Sequence, residues 1–406
     1  MSDRPAEPAI GPSRRRAVQF IVFLGVVSLL ADMTYEGARS ATGPYLALLG
    51  ASATAVGFVA GLGEFLGFAV RLASGYLGDR TGRYWAVTIF GYCLNLLAVP
   101  ALALAGSWEA AAVLMVAERT GRAIRTPTRD AMLSQASART GAGWAFGLHE
   151  ALDQTGAIAG PLMVGAVLYF GGGYRLAFAL LLIPALVCLI VLLAARVAYP
   201  RPEEFDLAPP SLVAERLPKS FAIYLGAVAL IAAGYADFPL IAYHFGKAET
   251  VPAVGIAALY ALAMATDGAA ALVLGRWFDR VGTVAMAAAT AGSLFAPPLV
   301  FLGGAAGATA GMVLWGIGMG AQESIMRAMV AKLAPPDRRA TAYGIFGVVY
   351  GTAWFAGSVL LGVLYDRSIM AIVVAAMVLQ ACALPILLAL GRSRVAGEGG
   401  APPPHS

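Results

Sequence analysis

Hydrophobic residues fall in long runs along nearly the whole chain, separated by short polar breaks. Runs such as Leu176–Ala195 and Ile369–Leu390 are each long enough to cross about 30 Å of hydrocarbon as a helix. In lipid, a helix satisfies its own backbone hydrogen bonds, so repeated apolar runs predict helices. Twelve spans are predicted, at 17–39, 52–78, 84–105, 108–130, 143–169, 174–197, 219–244, 252–278, 283–303, 307–333, 339–366 and 369–391. The proline-rich, charged stretch AYPRPEEFDLAPPSLVAERLP, 198–218, follows the sixth span and reads as a cytoplasmic linker. It divides a six-helix bundle over 17–197 from a second over 219–391. Residues 1–16 and 392–406 are rich in Pro, Ser and Gly and are expected to be disordered tails.

Composition agrees. Of 406 residues, 59% are hydrophobic and 13% charged, against roughly 25% charged in a soluble domain. So few charges cannot cover a water-facing surface. The first apolar run is long and lacks a small-residue cleavage site, so no signal peptide is expected. Lysine and arginine set the orientation. With the N-terminus inside, all but seven of the 28 lie at or near the cytoplasmic face. Arg39, Arg175, Lys247 and Arg367 fall on the far side, and Arg71, Arg119 and Arg122 within spans. Both termini are therefore expected in the cytoplasm, with the protein in the inner (plasma) membrane. The net charge of +5 is an orientation signal and implies no nucleic acid partner. Cys93, Cys188 and Cys382 lie in separate spans and read as core residues rather than a disulfide framework.

The halves resemble each other. GYLGDRTG begins at Gly75 and GRWFDRVG at Gly275, so Gly75, Asp79, Arg80 and Gly82 recur as Gly275, Asp279, Arg280 and Gly282. Gly147, Gly160 and Gly165 recur as Gly344, Gly357 and Gly362. Two six-span repeats mark a secondary transporter with its site between them. The stretch GYLGDRTGRYW resembles the loop motif Gly-x-Leu-x-Asp-Arg-x-Gly-Arg that the major facilitator superfamily carries between its second and third spans. The resemblance covers the whole chain. It implies an all-α membrane protein whose two pseudo-symmetric six-helix bundles rock about a central cavity. It also implies a gating latch at Gly75, Asp79, Arg80, Gly82 and Arg83, with Asp279 and Arg280 in the second half. Thr283 stands where the first half has Arg83, so the second latch is expected to be weaker. Arg83 alone can equally be a topology anchor.

The fifth span begins GLHEALDQTGAIAGP. Glu150, Asp153, Gln154, Ala157, Gly156, Gly160 and Pro161 share one side, while Leu148, Leu152, Thr155, Ile158 and Leu162 take the other. Small residues four apart let a neighbouring helix approach closely, and Pro161 removes a backbone donor. The spacing of Gly147, Gly156, Gly160 and Pro161 resembles the fifth-span motif of the superfamily's antiporter branch. This implies export in exchange for a cation, usually protons. An ionised carboxylate at mid-membrane costs about 3 kcal/mol unless it meets water or a partner, and buried acids can exchange protons near neutral pH. Asp153, about 15 Å into the span, is the first candidate for proton coupling or cation binding, and Glu150 the second. A structural ion pair with an arginine is the competing reading for both. His149 is expected at the interface, and one histidine makes no metal site.

In the fourth span Glu118, Arg122, Arg125 and Arg129 form one stripe, with Arg119 offset. Superfamily members often carry an arginine in this span that transfers protons or pairs with an acid. Either Arg119 or Arg122 corresponds to it. Arg125 and Arg129 are expected to anchor the cytoplasmic end. In the first span Asp32 and Glu36 share a face, with Asp32 read as cavity-lining. In the second half Asp237, Asp267, Gln322, Glu323 and Arg327 interrupt spans, and Glu323 and Arg327 are spaced to pair. Tyr235, Tyr243, Tyr260, Trp315, Tyr343, Tyr350 and Trp354 are candidate cavity aromatics. No nucleotide loop, nucleophile motif or metal cluster is present in the sequence, so no enzyme and no cofactor are expected. The expected function is secondary transport of a small organic solute by a monomer in the lipid bilayer, as proton-coupled efflux. The alternative is proton-coupled uptake of an anionic solute, suggested by the arginine stripe.

Overall fold

The computed structural model describes residues 14–137, 142–201, 217–334 and 339–398. Among the described residues the chain is helical almost throughout and contains no strand. The spans are α1 (Arg14–Leu48), α2 (Ala53–Thr81), α3 (Tyr84–Leu104), α4 (Trp108–Ser137), α5 (Ala142–Tyr169) and α6 (Gly173–Ala198) in the first half. The second half has α7 (Lys219–Lys247), α8 (Ala253–Val281), α9 (Thr283–Leu302), α10 (304–333), α11 (Arg339–Arg367) and α12 (Ile369–Glu398). Ten are long and apolar enough to cross a bilayer. The other two are α4, which carries Glu118, Arg119, Arg122, Arg125, Arg129 and Asp130, and the glycine-rich α10.

Several boundaries differ from the sequence pattern: the first helix begins at Arg14, inside the expected tail, and the fourth runs on from 130 to Ser137. The last helix continues through 392–398. The first runs to Leu48, straight through the Gly43-Pro44 pair that reads as a helix stop, and ends before Gly50, whose φ is +89°. Arg39, expected on the far side, therefore lies inside α1 and is largely buried. Cys382, expected in the core, is exposed, while Cys188 is buried.

Helix α7 is broken at Tyr235–Asp237. The break frees backbone groups that must find partners inside the protein. The indole of Trp315 donates to the carbonyl of Ala236 at 2.9 Å, and the Tyr235 hydroxyl donates to the carbonyl of Trp315. In α10 a single π-turn, Gln322–Met326, interrupts the ladder. Such bulges are frequent at functional sites.

Glycine decides how closely α5 meets α1. A Cβ on Gly156 would stand 2.9 Å from the carbonyl carbon of Leu29, and one on Gly160 would stand 2.8 Å from the nitrogen of Gly37. Both contacts are to backbone, which cannot swing aside. Gly160→Ala is therefore expected to force the helices apart and lower stability by about 1–3 kcal/mol. Thermal unfolding of the purified variant checks this, and an unchanged midpoint would refute the backbone contact.

Packing is asymmetric from end to end. One buried cluster joins the halves at the end opposite the termini and includes Tyr35, Tyr45, Phe238, Tyr260, Trp315 and Trp354. Toward the termini the core divides. One cluster there, around Phe20, Trp85, Tyr92 and Cys188, is wholly in the first half. The other, around Phe221, Tyr224, Phe278 and Met326, is wholly in the second. Contacts between the halves follow the same pattern. Gly57 abuts Ser358, Gly61 abuts Phe355, and Gly43 abuts Pro239. Asp366 of α11 accepts hydrogen bonds from the backbone nitrogens of Ala53 and Thr54 at the start of α2, at 3.2 and 2.8 Å. A carboxylate there complements the helix N-terminus. The bundles are thus clasped at one end and separated by a polar cavity toward the other.

Candidate functional site

The cavity lies between the halves in two lobes. The lobes share Glu36, Arg71, Arg122, Asp267, Glu323 and Arg327, so they are continuous. The lobe nearer the clasped end adds Arg39 and Glu64 on one wall. Tyr260, Trp315, Phe346, Tyr350 and Trp354 form the other. The lobe nearer the termini is lined by Asp32, Tyr35, Arg125, Arg129, Asp130, Glu150 and Asp153. The first half thus supplies most of the charge, and the second supplies the aromatic wall.

An ion-pair network closes the inner end. Arg39 of α1 donates to Asp237 at the α7 break, at 2.9 Å, and lies 3.6 Å from Glu64 and 3.9 Å from Glu36. Asp237 is 1% exposed. It also accepts from the Trp354 indole at 3.4 Å. Arg119 bonds Glu64 and lies 3.3 Å from Glu118. Glu118 in turn accepts from Asn95 at 2.8 Å. Glu36 lies 3.8 Å from Arg122 and accepts a hydrogen bond from the Tyr260 hydroxyl of α8. Arg39–Asp237 and Tyr260–Glu36 are polar ties across the two halves.

A second chain leads from the cavity toward the termini. Asp153 lies 3.6 Å from Nε2 of His149, and that nitrogen shares a hydrogen bond with the Ser28 hydroxyl at 3.3 Å. Arg129 donates to Ser28 at 2.8 Å and to Asp130 at 2.8 and 2.9 Å. Asp32 is 7% exposed. Asp153, Arg122, Arg125 and Glu36 all act on it electrostatically, yet no lysine or arginine of the described residues pairs with it. One oxygen of Asp153 and one of Asp267 are buried without a hydrogen-bond partner.

Of the residues singled out by sequence, Asp32, Glu36, Arg122, Glu150 and Asp153 meet at the cavity. Glu118 and Arg119 stand behind the wall and reach it through Glu64. Arg125 and Arg129 do not anchor an outer end. Arg125 is 1% exposed and lies over the Tyr92 ring at 4.3 Å, donating to its hydroxyl at 3.0 Å. His149 is buried rather than interfacial. Glu323 and Arg327 both line the cavity but form no ion pair with each other. At the loop motifs, Gly82 and Gly282 take φ of +63° and +62°, a left-handed turn that glycine adopts without strain. Arg80, Gly82, Arg83, Asp279 and Arg280 are exposed. The Arg80 guanidinium donates to Tyr76 at 3.4 Å. Gly75 faces Pro127. The side-chain surroundings of Asp79 and Gly147 lie outside the described residues. Glu64, Arg39 and Arg71 are site residues that motif reasoning missed. The signal was available: Glu64 and Arg71 interrupt the apolar run of α2 seven residues apart, hence on one face.

Comparison with known proteins agrees with this architecture. The Major Facilitator Superfamily profile matches residues 21–358, and the chain belongs to that superfamily. An uncharacterised protein of Mycobacterium tuberculosis, Rv2265, is 41% identical over 387 residues, covering 94% of this chain and 95% of that one. An uncharacterised MFS-type transporter of Methanocaldococcus jannaschii, MJ1317, is 25% identical over 366 residues, covering 86% and 89%. Among solved structures, an inward-facing bacterial homologue of the human lysosomal transporter Spinster superposes with a TM-score of 0.74 at 14% identity, over 95% of this chain and 99% of that one. The nucleoside transporter NupG superposes with a TM-score of 0.72 at 14% identity, over 93% and 99%. At such identities the likeness concerns the fold alone. The protein is a multi-pass membrane protein with the fold of transporters.

Proposed function

We propose that the protein is a secondary active transporter that moves a small organic solute by alternating access, coupled to protons, as an efflux antiporter. The observation that carries the coupling is the pair Asp32 and Asp153. Both carboxyl groups border a cavity open toward one end, and neither has an arginine or lysine within ion-pair distance. A carboxyl group so placed is a proton site by chemistry, because protonation removes a charge that the surroundings do not neutralise. His149, at 3.6 Å, then Ser28 and Arg129 continue from Asp153 toward the termini as a line of polar groups.

The charge bias places the termini in the cytoplasm, so the open end faces inward. In this state solute and deprotonated carboxylates share the cavity. Opening outward requires the Arg39–Asp237, Tyr260–Glu36 and Asp366–Thr54 ties to part, and the loop-motif ends to close. A proton arriving from outside then displaces the solute. Export, rather than uptake, is supported by the Gly147, Gly156, Gly160, Pro161 spacing. Uptake by symport remains the second reading, favoured by the guanidiniums of Arg71, Arg122 and Arg327 in the cavity.

The test uses purified protein in vesicles holding a trapped pH-sensitive dye. Addition of a transported solute is expected to drive protons in the opposite direction. Proton movement in the same direction selects symport. Solute movement without any proton movement overturns the coupling.

A further inference from the structure

We propose that the solute carries an acidic head on an aromatic or apolar body, with the head held by Arg71, Arg122 and Arg327. This rests on the transport reading above in its uptake form, in which proton and solute bind together, and specifies its substrate.

The three arginines come from α2, α4 and α10, so both halves contribute to one cluster, and all three line both lobes. Arg122 and Arg327 are the charges that act most strongly on Arg71, ahead of Glu64 and Asp130. Arg71 and Arg327 have no carboxylate within 4 Å, and the Nε of Arg71 is buried with no hydrogen-bond partner. Arg71 has only the Phe68 ring beneath it, at 5.5 Å. Arg122 lies over Tyr35 at 4.2 Å and reaches Glu36 only at 3.8 Å. Three guanidiniums thus face one space with most of their donors unused.

The cavity also holds carboxyl groups without a basic side-chain partner at 4 Å, apart from the histidine beside Asp153. These are Asp32, Glu150, Asp153, Asp267 and Glu323. The two kinds of group are not equivalent. A carboxyl can shed its charge by binding a proton, whereas a guanidinium cannot lose its proton in a protein. Once protons occupy the acids, the arginine cluster is the charge left for the solute to neutralise. A carboxylate or phosphate does so with paired, charge-assisted hydrogen bonds. An ammonium group would meet three like charges.

The body is read from the aromatic wall that adjoins the cluster. Phe68, Phe346, Tyr350 and Trp354 form a continuous series, with ring centroids 5.5 Å apart for Phe68–Tyr350, 5.7 Å for Phe346–Tyr350 and 5.4 Å for Tyr350–Trp354. Trp315 and Tyr260 continue it. Such a surface offers stacking and apolar contact to a ring or chain. Because both halves contribute to the head site and to the aromatic wall, a bound solute bridges the two bundles. A bare inorganic anion would leave the aromatic wall empty.

The experiment is thermal unfolding of the purified protein in detergent against rising concentrations of phenyl phosphate, inorganic phosphate and phenylethylammonium. A ligand that binds the folded state raises the midpoint with concentration. Phenyl phosphate is expected to stabilise, inorganic phosphate to act only at far higher concentration, and phenylethylammonium to do nothing. Arg71→Gln and Arg327→Gln are each expected to weaken the phenyl phosphate response by roughly tenfold or more, as loss of a charge-assisted contact implies. Neither change orphans a paired acid, so both variants should fold, and Arg71→Lys should keep part of the response. A parallel titration with dodecyl phosphate separates a soluble aromatic acid from a single-chain lipid anion, and the stronger of the two responses identifies the body. Stabilisation by phenylethylammonium alone, no response to either phosphate ester, or a response unchanged in both Gln variants overturns the assignment. Binding in detergent involves no gradient, so failure of proton coupling in vesicles leaves this result standing, and the reverse also holds.

Discussion

Arg39→Gln is expected to destabilise the protein by about 3–5 kcal/mol, the usual consequence of removing one partner from a buried ion pair. The reason is the number of acids that depend on this one side chain. Asp237 at 2.9 Å, Glu64 at 3.6 Å and Glu36 at 3.9 Å all face it. Glu64 keeps Arg119, and Glu36 keeps Arg122 and the Tyr260 hydroxyl. Asp237 keeps only the Trp354 indole at 3.4 Å. Adding Asp237→Asn to Arg39→Gln should therefore recover a good part of the loss, since it removes the orphaned charge while an amide oxygen can still accept from Trp354. Thermal unfolding of both single variants and the double variant gives the coupling directly. Simple addition of the two single effects would show that the pair is not a unit. The same pair ties α1 to α7, so the single variant should also expose the clasped end more often. Faster labelling of Ser358→Cys, a near-isosteric change at a buried residue that abuts Gly57 across the halves, would report that opening.

The largest functional effect is expected at Asp153. Asp153→Asn keeps the shape and the contact with His149 but cannot carry a proton. Gradient-driven movement of solute should fall to the level of protein-free vesicles. Exchange of labelled for unlabelled solute should continue, because alternation with the solute bound does not need that proton. Retention of gradient-driven movement would remove Asp153 from the coupling role. Loss of both gradient-driven movement and exchange, together with a lowered unfolding midpoint, would mark Asp153 as a structural partner of His149. Asp32 is the control. Its carboxyl faces the same lobe, so full coupling in Asp32→Asn would leave the role with Asp153 alone, and an equal loss would assign it to both.

Half of the candidate site was legible in the sequence. Asp32, Glu36, Arg122, Glu150 and Asp153 were found by one physical rule: charges are expensive in hydrocarbon, so those within spans face the interior. The same rule applied to Glu64 and Arg71 would have found them too. Attention to known motifs passed over α2's middle. What no rule on one chain can supply is the choice of partner. Glu118 and Arg122 sit four residues apart on α4, yet Glu118 bonds Asn95 and approaches Arg119, while Arg122 turns to Tyr35 and Glu36. Glu323 and Arg327 were spaced to pair and do not. Helical periodicity fixes the face on which a side chain stands, and long side chains then choose among everything that face meets.

By itself the sequence determined the class of protein. Apolar run length predicts spanning helices, and the offset repeat predicts two halves. Each of these is local or statistical along one chain. Only the tertiary structure decided where the halves touch and where they part. Arg39 and Asp237 are 198 residues apart, and Tyr260 and Glu36 are 224. Their meeting depends on how helices from the two bundles cross, at contacts where Gly43, Gly57 and Gly61 admit a neighbouring backbone. That geometry, and not any single motif, sets three arginines against an aromatic wall across one cavity.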